Sequence, residues 1–258
     1  MLNSISTALL TALTLVGCAT DGADRAGPGG AGGKADGDEA LHIEARVTKL
    51  GELNEIRWPV AVDTSSEVDN VMNAKLGFEA VTGENLDELK AKWAAGGDGP
   101  QQGVDEADFE ITANVRNVLS VAIRYETIYA YIDFHHAYLN FNPITGAEVA
   151  ITDLLDAASL PGLAAKLDHE LQARIAKLKT DYAAEIMSGE IEATQWDGLH
   201  VKADDLASFS TTQEGITFHY DPGFPHALVA LAPDGEFAVA FEDLDAAIRT
   251  DGLWAGEY

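Results

Sequence analysis

From residue 41 onward the chain switches several times between apolar residues spaced two apart and apolar residues spaced three to four apart, which marks short strands and helices in turn. His42 to Leu50 and Asn54 to Val62 read as strands, the second with an edge or bulge at Trp58-Pro59 because proline cannot donate to a ladder. Glu67 to Leu76 and Glu84 to Ala95 carry helical spacing, with Leu86, Leu89 and Trp93 on one face of the latter. A loop is expected over residues 96–103.

The clearest β pattern runs from Phe109 to Phe141. Leu119, Val121, Ile123 and Tyr125 alternate with Ser120, Ala122 and Arg124, and Ile128 to Phe134 continues the period. Asn142 to Gly146 is a turn, and Ser159-Leu160-Pro161 opens a long helix predicted over 160–187, with Leu163, Leu167, Leu171, Ile175 and Leu178 as its buried stripe. Four more strands are expected at Ala207 to Thr212, Ile216 to Tyr220, Ala227 to Leu231 and Phe237 to Phe241, followed by a short helix near Asp243 to Ile248. Helices clustered between runs of strands predict an α+β fold, in which an antiparallel sheet packs helices on one face and one long helix separates two β regions.

The N-terminus behaves differently. Residues 1–17 hold no charge, and Ile5 to Gly17 is a weakly apolar run. At about 1.5 Å per residue it would extend about 20 Å as a helix, short of the roughly 30 Å hydrocarbon core, so an export signal fits better than a membrane span. The run ends in Leu15-Val16-Gly17-Cys18, which resembles a bacterial lipobox: cleavage before Cys18 would leave a thiol to carry a lipid. Residues 18–40 are rich in glycine and lack the large apolar side chains that could offset ordering entropy, so they read as a tether. The expected organisation is a lipoprotein signal at 1–17, an anchor and tether at 18–40, and an α+β domain at 41–258 with an N-terminal part (41–108) and a C-terminal part (109–250).

Charge narrows the partners. The chain of 258 residues carries a net −27, which repels nucleic acid and anionic lipid surfaces and attracts cations. Residues 203–258 hold eleven acidic side chains against Arg249 alone. The single cysteine removes any intramolecular disulfide or multi-cysteine metal site. His169-Glu170 lacks the second histidine of a zincin, since Ala173 stands four residues after His169, and no G-x-S-x-G elbow occurs. A non-enzymatic protein without a cofactor is the expectation.

Three segments, in order, resemble the RsiV-like extracytoplasmic domain family, which comprises the outer portion of lysozyme-sensing anti-sigma factors and the accessory domain of some peptidoglycan deacetylases. The first is Ile56-Arg57-Trp58-Pro59 followed by the helix bearing Val71 to Leu76. The second runs from Asn117 to Val121, through Asn140 to Gly146, to Ile151 to Leu155. The third runs from Phe209 to Phe218, through Tyr220-Asp221-Pro222, and closes on Phe241 to Leu244. The resemblance spans residues 42–248 and implies an exported ligand-binding module of the bacterial cell envelope, for a cationic lysozyme-like protein or for peptidoglycan. Neither a sigma-binding segment nor a deacetylase domain is recognisable, so the chain is expected to be neither of those proteins.

The resemblance also places candidate residues. Tyr220, Pro222, Phe224, Pro225 and His226 correspond to an aromatic and proline-rich loop able to act as a rigid platform, and His136 joins them as a ligand-binding candidate. An alternative reading is a metal-assisted hydrolase of cell-wall glycan, using His135 or His136 with His219 or His226, His135 and His219 being the first pair to consider and Asp133 or Asp221 lying nearby. Adjacent His135 and His136 point to opposite faces of a strand, so only one of them can enter a given site.

Overall fold

β1 (His42–Lys49) and β2 (Glu55–Val62) pair antiparallel along their full length, with Ile56 and Trp58 of β2 turned into the core and Glu55 and Arg57 turned out. The structure is a computed structural model that describes residues 42–51, 54–62, 65–96 and 102–254. The signal at 1–17, Cys18 and the tether at 18–40 lie outside the described residues. All described residues belong to one compact unit.

Three helices follow β2. α1 (Ser66–Leu76) is capped by the Ser65 hydroxyl, which accepts from the Val68 N–H, and α3 (Leu86–Ala95) by the Asn85 side chain, which accepts from Asp87 and Glu88. Between them lies α2 (Phe78–Thr82), a short helix the sequence pattern does not announce. The chain then forms β3 (Gly103–Val115), β4 (Val118–Ile128) and β5 (Ile132–Phe141). The resulting five-stranded sheet has the order β1-β2-β3-β4-β5, antiparallel throughout except for a short parallel contact of Ile56 with Ala107. β3 starts six residues before the clear alternation at Phe109, because register shifts at Val104/Glu106 and Ile111/Ala113 interrupt its period.

α4 (Ile151–Leu154) and α5 (Leu160–Asp181) come next. Leu163, Leu167, Leu171 and Ile175 of α5 are buried as the spacing predicts, and the helix yields at Tyr182 to α6 (Ala183–Ser188). The second β region makes its own antiparallel sheet in the order β6 (Phe209–Thr211), β7 (Gly215–His219) and β8 (Glu236–Ala240), followed by α7 (Phe241–Leu244). The strand expected at Ala227 to Leu231 is instead a 3₁₀ turn over His226–Leu231, started by the Leu228 N–H bond to the Pro225 carbonyl. Only Leu231 of that segment is buried, so no apolar face is available for a strand to present.

The fold is therefore α+β with a mostly antiparallel sheet and a long helix between β regions, and it has two cores. In the first, α1 to α3 cover one face of the large sheet, with Leu119, Val121, Ile123 and Phe141 on that face. Residue 108 lies inside β3, and this core draws on residues from Ile43 to Phe141, so the packing does not divide at 108/109. The second core joins α5 to β6, β7 and β8, and Val118 reaches it from the other face of the large sheet. On that other face β6 docks by two hydrogen bonds. The Thr211 N–H donates to Ser120 Oγ (3.1 Å), and Asn140 Nδ2 donates to the Phe209 carbonyl (2.7 Å).

Candidate ligand-binding site

The β4–β5 hairpin carries several of the candidate site side chains. Its register pairs Tyr125 with His135, Arg124 with His136 and Ala122 with Tyr138. Directly opposite residues share a face, so Tyr125 and His135 lie on the side of α1 to α3, and Arg124, His136 and Tyr138 on the side of β6 to β8. The tip, residues 129–131, puts Tyr129 and Tyr131 into solvent, and Phe134 beyond it is 67% exposed.

On the helix side a groove of about 450 Å³ is lined by Glu84, Tyr125, Tyr129, Tyr131, Asp133, His135 and His226. His135 stacks on Tyr125, and its Nε2 is 2.9 Å from Thr127 Oγ1. His226 stacks on Tyr131 with ring centroids 5.8 Å apart. Glu84 holds the tip in place: Oε1 accepts from the Tyr129 hydroxyl (2.6 Å), and Oε2 accepts from the Val104 N–H (3.2 Å). The bond to Glu84 is the main cause that raises the Tyr129 hydroxyl above its ordinary pKa, whereas burial, followed by the Glu84 charge, does so for Tyr125.

On the opposite side a groove of about 400 Å³ lies between β5 and the loops of the small sheet, lined by His136, Tyr138, His219, Tyr220, Asp221, Pro222 and Glu236. His219 is face to face with Tyr138, and its Nε2 is 2.9 Å from Ser210 Oγ. Burial first, and the neighbouring His136 second, push the His219 imidazole down to about 4. Burial, then Arg124, also lowers His136. A further groove of about 380 Å³ adjoins it, where Phe134 and His136 meet Glu106, Asp108, Arg124 and Glu126. Asp108 is neutralised by Arg57 (2.7 Å) and Arg124 (3.8 Å). Glu126 and Glu106 face each other directly and have no such cation among the described residues, and Glu126 is raised by burial, then by Asp105 and Glu106.

The structure thus gathers His136, Tyr220 and Pro222 with His219 on one side, and sets His226 on the other side with His135. Phe224 packs against the second core and supplies no platform, and Pro225 precedes the 3₁₀ turn as an exposed residue. The first metal pair lies on opposite faces of the sheet: His135 stacks on Tyr125 with its Nε2 at Thr127, and His219 stacks on Tyr138 with its Nε2 at Ser210, whereas His136 is the histidine that neighbours His219. Among the described residues no group of three or more His, Cys, Asp or Glu side chains is placed to hold a metal ion. Tyr125, Tyr129, Tyr131, Phe134, Tyr138 and Glu84 escaped the sequence reading. Their signal was aromatic residues at both the inward and the outward positions of one alternating segment.

A second polar cluster serves the fold. Asp168 of α5 accepts from the Val201 N–H (3.1 Å), from Gln172 and from His200 Nδ1 (3.1 Å), and so clamps the 199–201 segment onto the helix. Burial opposes ionisation of Asp168, but these bonds outweigh it and lower its pKa.

No protein-family model matches the chain, and no curated protein matches it. Among solved structures, a DUF3298 family member from Bacteroides fragilis superposes with a TM-score of 0.52 at 13% identity, covering 82% of this chain and 94% of that one. A DUF3298 family protein from Pseudomonas aeruginosa PAO1 does so with a TM-score of 0.52 at 13% identity, covering 85% of this chain and 99% of that one. The likeness is one of fold, extending over nearly the whole length of both neighbours.

Proposed function

We propose that this chain is a lipid-anchored protein of the bacterial cell envelope whose RsiV-like domain binds, without catalysis, a cationic lysozyme-like protein. The observation that carries this reading is the β4–β5 hairpin, with tyrosines and a phenylalanine exposed at its tip and carboxylates on both sides: Glu84 and Asp133 on one, Glu126, Asp221 and Glu236 on the other. Aromatic anchors supply buried contact area, and the carboxylates steer and orient a basic partner. The ordered resemblance and the shared fold with the DUF3298 structures support an extracytoplasmic module, and the lipobox supports its anchorage through Cys18. Exposed tyrosines also suit stacking on sugar rings, so peptidoglycan is the second ligand to try.

Retention of hen lysozyme and of purified peptidoglycan by the full chain, solubilised from membranes, is measured at low and at high salt. Lysozyme retained at low salt and released as salt screens the carboxylates supports the reading. If neither ligand is retained at low salt, the reading is wrong. Labelling with a radioactive fatty acid tests the anchor, and Cys18→Ala must abolish it.

A further inference from the structure

We propose that the free edge of β5 accepts an extended, lysine- or arginine-bearing segment of the partner as a sixth strand, paired antiparallel, with its basic side chains on the His136 face. The inference rests on the ligand-binding reading above and specifies how the ligand is held.

β5 is an edge strand of the large sheet. Backbone bonds show which of its groups face outward. The Asn140 carbonyl accepts from the Val149 N–H (2.8 Å) and the Asn142 N–H donates to the Ala147 carbonyl (2.8 Å), so the even-numbered residues direct their backbone groups away from β4. The segment 147–149 covers that edge only at its C-terminal end, through the bridge from Phe141 to Glu148. The same alternation sends the N–H and C=O groups of His136 and Tyr138 outward, where they have no partner among the described residues. The Phe134 N–H also points outward and meets only the carboxylate of its neighbour Asp133 (3.1 Å). Residues 134–138 offer roughly 17 Å of unpaired edge.

Edge strands are usually guarded by lysine, proline or a covering element. β1, at the far edge, carries Arg46 and Lys49, whereas Ile132–Phe141 contains no lysine, arginine or proline. The edge is flanked on both sides by the grooves already described, so an added strand would send alternate side chains into each, as strand-adding recognition requires. The tyrosine-rich side, where Glu84 is already engaged by Tyr129 and Val104 and Asp133 stands at the rim, suits apolar residues. The other side presents Glu126, Asp221 and Glu236, while the charge of Arg124 on that face is met by Asp108, and so it selects basic ones. A second copy of this chain is the poorer occupant, because it would set the same carboxylates, and a net charge of −27, against themselves.

The probe is a fluorescent heptapeptide of alternating lysine and valine, titrated into the full chain and followed by anisotropy and by amide hydrogen exchange across 132–141. In the proposed pairing the lysine residues lie directly opposite His136 and exchange backbone bonds with it. N-methylation of the lysine amides is expected to weaken binding at least about tenfold, while N-methylation of the valine amides leaves it near that of the parent peptide. His136→Pro, which removes an N–H that no ladder uses, is expected to lose the peptide. If the two N-methylated peptides bind alike, strand addition is overturned while the ligand-binding reading stands. If the unmodified chain binds neither peptide nor lysozyme, the ligand-binding reading itself falls. A chain that is a dimer in solution, and that His136→Pro converts to a monomer, would show β5 occupied by a second copy and overturn the proposal.

Discussion

His219 of β7 lies on Tyr138 of β5 with ring centroids 3.5 Å apart and planes 3° from parallel, which ties the small sheet to the hairpin at the wall of the groove. The imidazole side chain is 11% exposed, its Nδ1 has no hydrogen-bond partner among the described residues, and Glu236 stands 3.8 Å away. Its other neighbours are His136 and Tyr138 on β5 and Ser210 on β6. A charged imidazole is disfavoured there.

That geometry has a consequence for stability. The folded imidazole titrates at about 4, against about 6.5 in an unfolded chain. Between those values the unfolded chain binds a proton that the folded one refuses, so the contribution is complete above about pH 6.5 and is lost as pH falls toward 4. The full difference is on the order of 3 kcal/mol. His136 is shifted in the same direction and adds to the effect. Denaturant titrations at pH 7.5 and pH 4.5 should show the parent losing roughly 2–3 kcal/mol more than His219→Gln, since the carboxylate contributions common to both chains cancel. Equal losses would remove His219 from the explanation.

Ser120 and Asn140 face each other across β4 and β5, both buried, and each makes one of the bonds that dock β6. Ser120→Ala leaves the Thr211 N–H without its acceptor, and Asn140→Ala leaves the Phe209 carbonyl without its donor. Each is expected to cost about 1–3 kcal/mol by thermal or chemical unfolding, the penalty of a buried polar group left unpaired. Near-neutral behaviour in both would mean that the two sheets are joined by apolar packing alone.

Much of this architecture was legible because it is local. The alternation of Leu119, Val121, Ile123 and Tyr125 identified β4, the stripe from Leu163 to Leu178 identified the long helix, and the helical spacing of Leu86, Leu89 and Trp93 identified α3. What failed depended on turn geometry or on distant pairing. Arg116 and Asn117 make the β3–β4 turn with positive φ (51° and 59°) although neither is glycine, and the tip at 129–131 also lacks the usual turn residues, so the alternation seemed to run through it. The site was half visible. His136, Tyr220, Pro222 and His219 could be named from residue type and resemblance, but the stacking of His219 on Tyr138 joins residues far apart in sequence, as does the Tyr129 bond to Glu84. The same long-range pairing separates His135 from His219, which the period of a single strand cannot reveal.

Glu126 and Glu106 oppose each other across β3 and β4, an arrangement that costs the folded state energy. Glu126→Gln is expected to stabilise the chain at neutral pH by a few tenths of a kcal/mol, up to about 1, with solvent screening holding the gain at the low end. The same change removes a carboxylate from the groove and is expected to weaken lysozyme retention at low salt. A gain in melting temperature together with weaker binding would identify this pair as kept for recognition; a variant that is less stable would contradict the electrostatic account.

Gly235 bears on the other wall. A Cβ placed there would lie 1.9 Å from the Tyr220 carbonyl oxygen, and the Gly235 carbonyl accepts the Tyr220 N–H at 2.9 Å, so the two backbones pass too closely for a methyl group. Gly235→Ala must displace Tyr220 and its neighbours Asp221 and Pro222. The expected cost is about 1–3 kcal/mol, with a loss of ligand retention that exceeds the loss of folded protein. Gly162→Ala is the matched control: it sits in α5 with open space around it, so the same substitution should stabilise by about 0.5–1 kcal/mol and leave binding untouched. If both variants bind like the parent, the Tyr220 wall takes no part in recognition, and the hairpin alone must hold the ligand.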